Sequence, residues 1–308
     1  MDENNLLNVL NSHLILYVEQ KTAYNLSKNS ITSYTYIIER FYDYVADELA
    51  QNEFLSLKDI NKYFLNGYVI KLQNLGLSKK TQQLHILVVK NFLYFIADSD
   101  IKELGYLKNN IGHFKIKAEQ KEKESFSHDD QQRIMNLTSI LDEKDSFLAN
   151  RNSLLIKILL FTGVRISELI NIKWADITEY PDYYEVLIQG KGGKERKTYL
   201  SKDQAEINID CLKNMSIKSE YLISTSKGFQ CDRKNLFKMV NGLLAKAGIS
   251  KSGLHIFRHT LARNLVEQNY NLSVIKEVLG HSNISITAQF YAKADENAKR
   301  NALMRVSK

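Results

Sequence analysis

The chain has 308 residues, of which 44% are apolar, a formal charge of +7 at pH 7, two cysteines and one proline. That much apolar material exceeds the needs of one small core, so two domains are expected, and no apolar run approaches the ~20 residues that a membrane-spanning helix requires. Cys211 and Cys231 are too few for a disulfide scaffold and no secretory leader pattern opens the chain, which excludes a secreted framework and points to a reduced, cytoplasmic setting.

The positive surplus is unevenly placed: residues 1–126 are balanced, whereas residues 127–308 carry 27 Lys and Arg against 20 Asp and Glu. A basic second half suits a polyanionic partner, although surplus lysines also serve solubility alone.

The first part reads as helix throughout. After an opening helix around Leu6 to Glu19, apolar residues recur at helical spacing from Ile31 to Val45, behind a Ser30 placed to cap the start. A third helix is expected from Asp59 to Asn74, stopped by Gly76, and a fourth from Ser78 onward, so the part forms a compact bundle. The first turn of the fourth, SKKTQQ, sets Lys79, Lys80, Gln82 and Gln83 beside a helix N-terminus. Phosphate contact is one reading of that turn, and a capped, solvated helix end is the other. Residues 113–126, with alternating charge and no apolar period, read as a connector, and Ser127 with Asp130 three residues on reads as a capping box.

The second part opens with a buried helix from Ser153 to Phe161, broken at Thr162-Gly163. Arg165 then falls in the first turn of a further helix running on through Ile170, Ile172 and Trp174. Its planar fork there suits phosphate oxygens, and an ion pair with Glu168 is the competing reading. Tyr183 to Gln189 and Arg196 to Leu200 read as strands joined by a glycine-rich tip that offers Lys191 and Lys194. No strand-to-helix passage with a GK[ST] signature exists, so nucleoside triphosphate binding is excluded.

A helix around Ile256 to Leu265 places His255 and Arg258 on one face, a Gly280-His281 pair closes a short helix, and Tyr291 stands alone near the end. Two imidazoles, arginines and a phenol suit a phosphodiester. A metal site among His255, His259 and His281 is disfavoured by the arginine in their midst and the lack of an HExxH or Cys/Asp/Glu cluster. His259 is expected to buttress its helix from inside.

The ordered segments TGVRISELINIKWADI, QGKGGKERKTYLS, LHIFRHTLARNL and VLGHSNISITAQFY, together with the two N-terminal helices SITSYTYIIERFYDYV and LSKKTQQLHILVVKNFLYF, resemble the tyrosine recombinases of the phage integrase family, most of all their Xer-type members. The resemblance covers essentially the whole chain. It implies a mainly α protein: a helical, SAM-like core-binding domain over residues 1–112, a linker over 113–126, and over 127–308 a catalytic domain, mostly α with a small antiparallel sheet, ending in a C-terminal tail.

By the same resemblance Arg165, Lys191, His255, Arg258, His281 and Tyr291 are the catalytic set and Glu168 supports it; apart from the resemblance, His259 is placed behind the set, and Lys79, Lys80, Gln82, Gln83, Lys90, Lys194 and Arg196 are candidate DNA contacts. The implied reaction is cutting and rejoining of DNA through a 3′-phosphotyrosyl intermediate, without metal, ATP or any other cofactor, in chromosome dimer resolution or mobile-element integration and excision. A type IB topoisomerase-like nicking and closing enzyme and an inactive DNA-binding accessory protein are the alternatives. The implied partners are a double-stranded recombination site and three further protomers, in a homotetramer or a heterotetramer with a paralogue. A septal DNA translocase is a candidate activator, and no membrane is involved. One departure stands out: ten steps separate His281 from Tyr291, one more than the family spacing. One residue turns a helix by roughly 100°, so the loop at Ser282 to Ser285 must absorb it. The tail from Ala292 to Lys308 is either a frayed end or, as in the family, a segment that docks on a neighbouring protomer.

Overall fold

The computed structural model describes residues 3–52, 55–98, 106–112, 114, 116, 124–190 and 193–280. The expectations for Lys191, His281, Tyr291 and the tail lie outside the described residues. The chain divides into two compact units, Met1–Lys121 and Glu122–Lys308. Phe114 and Ile116 pack on the first core and Phe126 is fully buried in the second, so both ends of the expected 113–126 connector are fastened by apolar side chains.

The first unit contains α1 (Glu3–Ala23), α2 (Lys28–Leu49), α3 (Lys62–Asn74), α4 (Lys79–Ala97) and the short α5 (Tyr106–Ile111). Ser27 caps α2 by accepting the Ser30 N–H, which moves the start three residues ahead of the expected cap, since Ser30 is itself inside the first turn. Asn61 and Ser78 cap α3 and α4 in the same way. Asp59, expected to open α3, sits instead in a separate 3-10 turn, Leu57–Asp59. At six residues α5 is too short to show a period, yet its Leu107 and Ile111 are fully buried. The α4 helix packs against α1, α2, α3 and α5. At the centre the Phe41 and Tyr68 rings meet edge to face at 5.1 Å, and Tyr68 Oη shares a hydrogen bond of 3.0 Å with buried His85 Nδ1.

Lys79 and Lys80 are exposed at the head of α4. Their expected companions are used internally. Gln82 is buried with Nε2 donating to Leu77 O at 2.6 Å, and Gln83 Nε2 donates to Ile116 O at 2.8 Å. Buried Lys90 donates to Gly112 O at 2.8 Å and Phe114 O at 3.0 Å. It lies one turn from Ile86 and Leu93 on the inward face, which is why its ammonium ties α4 to the departing chain rather than reaching outward.

The second unit contains α6 (His128–Asp142), α7 (Phe147–Thr162), α8 (Ile166–Leu169), strands β1 (Ile177–Glu179), β2 (Tyr183–Gln189) and β3 (Glu195–Ser201), then α9 (Lys202–Asn214), α10 (Arg233–Lys246), α11 (His255–Glu267) and α12 (Leu272–Leu279). Apolar on almost every side, α7 is the buried axis, with α6, α9, α11 and β3 packed around it. Its one buried ammonium, Lys157, is met by Asp142 Oδ2 at 2.6 Å and Asn208 Oδ1 at 2.8 Å. The Ser127–Asp130 capping box opens α6 as expected. The helix expected to run from Arg165 to Trp174 stops at Leu169; a short 3-10 turn, Trp174–Asp176, follows and leads into β1. The sheet is antiparallel in the order β1-β2-β3, with Val186 paired to Ile177 on one side and Thr198 on the other. Along β2 the residues Tyr184, Val186 and Ile188 face the core in strict alternation. No described helix is long and apolar enough to cross a membrane.

Candidate active site

The site begins where α7 ends. Gly163 closes that helix in the left-handed region at φ 60°, and a Cβ there would lie 2.9 Å from Leu261 Cδ2 and 3.0 Å from Leu279 Cδ2. Glycine is strongly favoured, because the left-handed backbone strains an L side chain and a Cβ would have to push both leucines aside. The turn delivers Arg165 as the N-cap residue of α8, one position earlier than the expected first turn. Glu168 accepts its backbone N–H at 2.8 Å and its Nη1 at 2.8 Å. The ion pair is therefore formed, and Arg165 still keeps 37% of its side chain in solvent.

The second arginine comes from α11. Arg258 is 5% exposed, its Nη1 donates to Gly163 O at 2.7 Å and its Nη2 to Leu279 O. Burial first, then the Arg165 charge, pushes its guanidinium down to about 9, so it remains a cation at neutral pH. Arg165 Nη2 reaches Gly280 O at 3.5 Å. Two guanidiniums thus sit on the final carbonyls of α12, where the helix dipole favours positive charge. Gly280, at φ 60°, terminates α12 directly before His281.

Glu168 binds a third arginine. Arg196 lays its fork across the carboxylate, Nη1 to Oε1 at 3.1 Å and Nη2 to Oε2 at 2.8 Å. Burial of Glu168 would raise its carboxyl, but the hydrogen bonds from Arg196, from the Arg165 N–H and from the Arg165 side chain outweigh it and hold the group at about 2. Arg196 was expected among the DNA contacts. It turns inward because β3 alternates, and Arg196, Thr198 and Leu200 share the face that meets the protein. That alternation, counted back from Leu200, was the signal in the sequence. Lys194 is exposed at the tip of the hairpin, where its carbonyl accepts the Gly190 N–H at 2.7 Å.

His255 is the first residue of α11 and remains exposed. Desolvation by the surrounding protein, then the charges of Arg233, Arg258 and Arg165, push its imidazole below the usual range. Beside it opens a cleft of about 750 Å³, walled by Ile166, Leu254 and Phe237 and rimmed by Arg233, Lys234 and Lys238 of α10. That basic rim was missed in the sequence, since no motif marks it. His259 is half-buried, with Nδ1 3.3 Å from Glu124 O, and so lies at the margin of α11 rather than inside it as expected. Among the described residues no group of three or more His, Cys, Asp or Glu side chains is placed to hold a metal ion.

Arg165, Glu168, Arg196, Arg258 and Gly280 thus meet in one place, and the electrostatic reach of Arg165 and Arg258 extends to His255. Residues 124–298 match the phage integrase family. The chain is 31% identical to the tyrosine recombinase XerH of Campylobacter jejuni over 289 residues, 90% of this chain and 78% of that protein. It is 27% identical to XerH of Helicobacter pylori over 303 residues, 92% and 81% of the two chains. A crystal structure of XerH bound to its difH substrate in a pre-cleavage complex shares the fold with a TM-score of 0.69 at 25% identity, over 92% of this chain and 83% of that one. Recombination is favoured over the nicking-closing and inactive alternatives on these grounds. The chain belongs to the phage integrase family and is a tyrosine recombinase, an enzyme of site-specific DNA recombination.

Proposed function

We propose that the chain cuts and rejoins both strands of two DNA duplexes at a specific site through 3′-phosphotyrosyl intermediates. Arg165 and Arg258 clamp the non-bridging oxygens of the scissile phosphate, His255 and His281 donate hydrogen bonds to it and assist proton transfer at the nucleophile, and Lys191 protonates the leaving 5′ oxygen. Tyr291 attacks phosphorus. The observation that carries this reading is the meeting of Arg165 and Arg258, from elements far apart in the chain, on the last carbonyls before His281. A phosphoryl transition state gathers charge on its equatorial oxygens, and guanidiniums already fixed by protein carbonyls need no reorganisation to meet it. The covalent link conserves the phosphodiester energy, so rejoining to a new 5′ hydroxyl needs no ATP.

Exchange of both strands between two duplexes breaks four strands, and each protomer offers one tyrosine after His281, which supports a tetramer on two synapsed sites. A heterotetramer with a paralogue and activation by a septal DNA translocase are variants of that assembly. Two labelled duplexes carrying the sequence that the purified chain protects in footprinting test the reading. Recombinant duplexes from this chain alone support it and remove both variants as requirements; relaxation of supercoiled DNA with no exchange between duplexes contradicts it.

A further inference from the structure

Arg196 has no role in the scheme above, yet it is built into the site. Its side chain is 15% exposed and its fork covers both oxygens of Glu168, a carboxylate 6% exposed that simultaneously holds Arg165. One carboxylate between two guanidiniums leaves a net positive charge, and the more open partner is Arg165, at 37% exposure. Without Arg196 the full negative charge of Glu168 would face Arg165 alone, making a one-to-one pair that competes with phosphate for the same fork.

The same side chain has a second contact. A Cβ on Gly280 would stand 2.9 Å from both Cδ and Nε of Arg196 and 3.1 Å from Cζ, so the backbone that leads into His281 lies directly on the guanidinium. The Arg196 Nε–H is buried beside it, with no acceptor among the described residues. Arg165 Nη2 on Gly280 O and Arg258 Nη2 on Leu279 O hold the same peptide segment from other sides.

We propose that Arg196 is a positioning residue of the recombinase: it neutralises Glu168 so that Arg165 keeps its charge for the scissile phosphate, and it seats Gly280 so that the chain enters residue 281 in one direction. The inference rests on the reading above that Arg165 and His281 act on that phosphate.

The test is the rate of covalent complex formation at saturating nicked suicide duplex, with duplex affinity measured in parallel, for the unaltered chain, Arg196→Met, Arg196→Lys, Glu168→Gln and Arg196→Met/Glu168→Gln. Arg196→Met is expected to slow cleavage by about 10²-fold, the scale for loss of one electrostatic contribution, with affinity changed by less than about threefold. Arg196→Lys, which keeps the charge but not the fork, falls between. The double variant is expected to recover at least about tenfold over Arg196→Met in the rate per folded molecule, because the carboxylate that captures Arg165 is gone; a merely structural role restores the folded fraction, read by circular dichroism, and leaves that rate unchanged. Should a half-paired Glu168 unfold Arg196→Met, Arg196→Lys with Arg196→Lys/Glu168→Gln carries the same comparison. Cleavage by Arg196→Met within about twofold of the unaltered chain, or losses that simply multiply in the double variant, overturns the role of Arg196 alone. Failure of the unaltered chain to form a covalent complex on a duplex that it binds overturns the phosphotyrosyl reading as well.

Discussion

The Gly163 carbonyl accepts Arg258 Nη1 at 2.7 Å, joining residues 95 apart in the chain. The turn that ends α7 therefore does two things: it aims Arg165, and it supplies the acceptor that fixes the other arginine. Gly163→Ala forces a side chain into the left-handed region and against Leu261 and Leu279. It is expected to lower stability by about 1–3 kcal/mol in urea unfolding and to slow covalent complex formation, since the displaced carbonyl no longer fixes Arg258. Unchanged stability and rate would separate the turn from the site.

Arg258→Lys preserves charge but cannot span Gly163 O and Leu279 O, because an ammonium is a point donor and the guanidinium is a fork. Cleavage is expected to fall by about 10²- to 10³-fold with duplex affinity nearly retained. Parallel measurement of affinity and cleavage rate decides it, and equal losses in both would show that Arg258 serves binding rather than the chemical step.

His255 has an exposed edge and lies in the field of three arginines, with desolvation by the protein around the rest of the ring and then Arg233 the leading causes of its lowered pKa. The ring is expected to titrate below 6.5, and Arg233→Met, by removing a cation, is expected to move it upward. Imidazole NMR titration of the two proteins reads the direction; a downward or absent shift contradicts the placement of Arg233.

In the first unit buried His85 is held neutral, its pKa lowered to about 4 by desolvation and by Arg40. The unfolded chain binds this proton near 6.5 and the folded chain only near 4, so stability is present above pH 6.5 and declines as pH falls through that window, by about 1.4 kcal/mol per pH unit for one proton. Glu168 and Asp130, both held at about 2, lose their contributions mainly below about pH 5, which leaves the range from pH 7 to 5 to the two histidines with lowered pKa, His85 and His255, and the substitution at His85 isolates its share. His85→Gln, which keeps a hydrogen-bonding group for Tyr68 without titrating, is expected to lose less stability than the unaltered chain between pH 7 and 5 in denaturant titrations. Identical losses would remove His85 as the cause.

The Lys157 ammonium is 7% exposed and shared between Asp142 and Asn208. Lys157→Met leaves a carboxylate only 16% exposed without its cation, and stability is expected to fall by about 3 kcal/mol. Lys157→Met/Asp142→Leu, which removes both charges, is expected to recover part of that loss in the same denaturation experiment. A double variant less stable than the single one contradicts the account.

Legibility in the sequence followed the strength of local signals. The bundle of the first unit was readable because α2, α3 and α4 are long and periodic, although the caps Ser27 and Asn61 were passed over for Ser30 and Asp59, and β2 because Tyr184, Val186 and Ile188 alternate. The three-residue β1 and six-residue α5 carry no period, and their existence depends on pairing with β2 and on burial of Leu107 and Ile111. In the site, Arg165, Glu168, His255 and Arg258 were legible from motifs. Arg196 and Lys90 were read as outward cations, because charge alone does not reveal that a strand or helix face turns them toward Glu168 or toward the Gly112 carbonyl.

The central claim is that one phenol becomes covalently joined to DNA. After reaction with a nicked suicide duplex bearing the footprinted site, the cross-linked peptide is isolated and sequenced by mass spectrometry. A single adduct is expected, Tyr291 linked to a 3′ phosphate with a free 5′ hydroxyl released, and none from Tyr291→Phe. An adduct on another residue, a 5′ linkage, or undiminished trapping by Tyr291→Phe would contradict it.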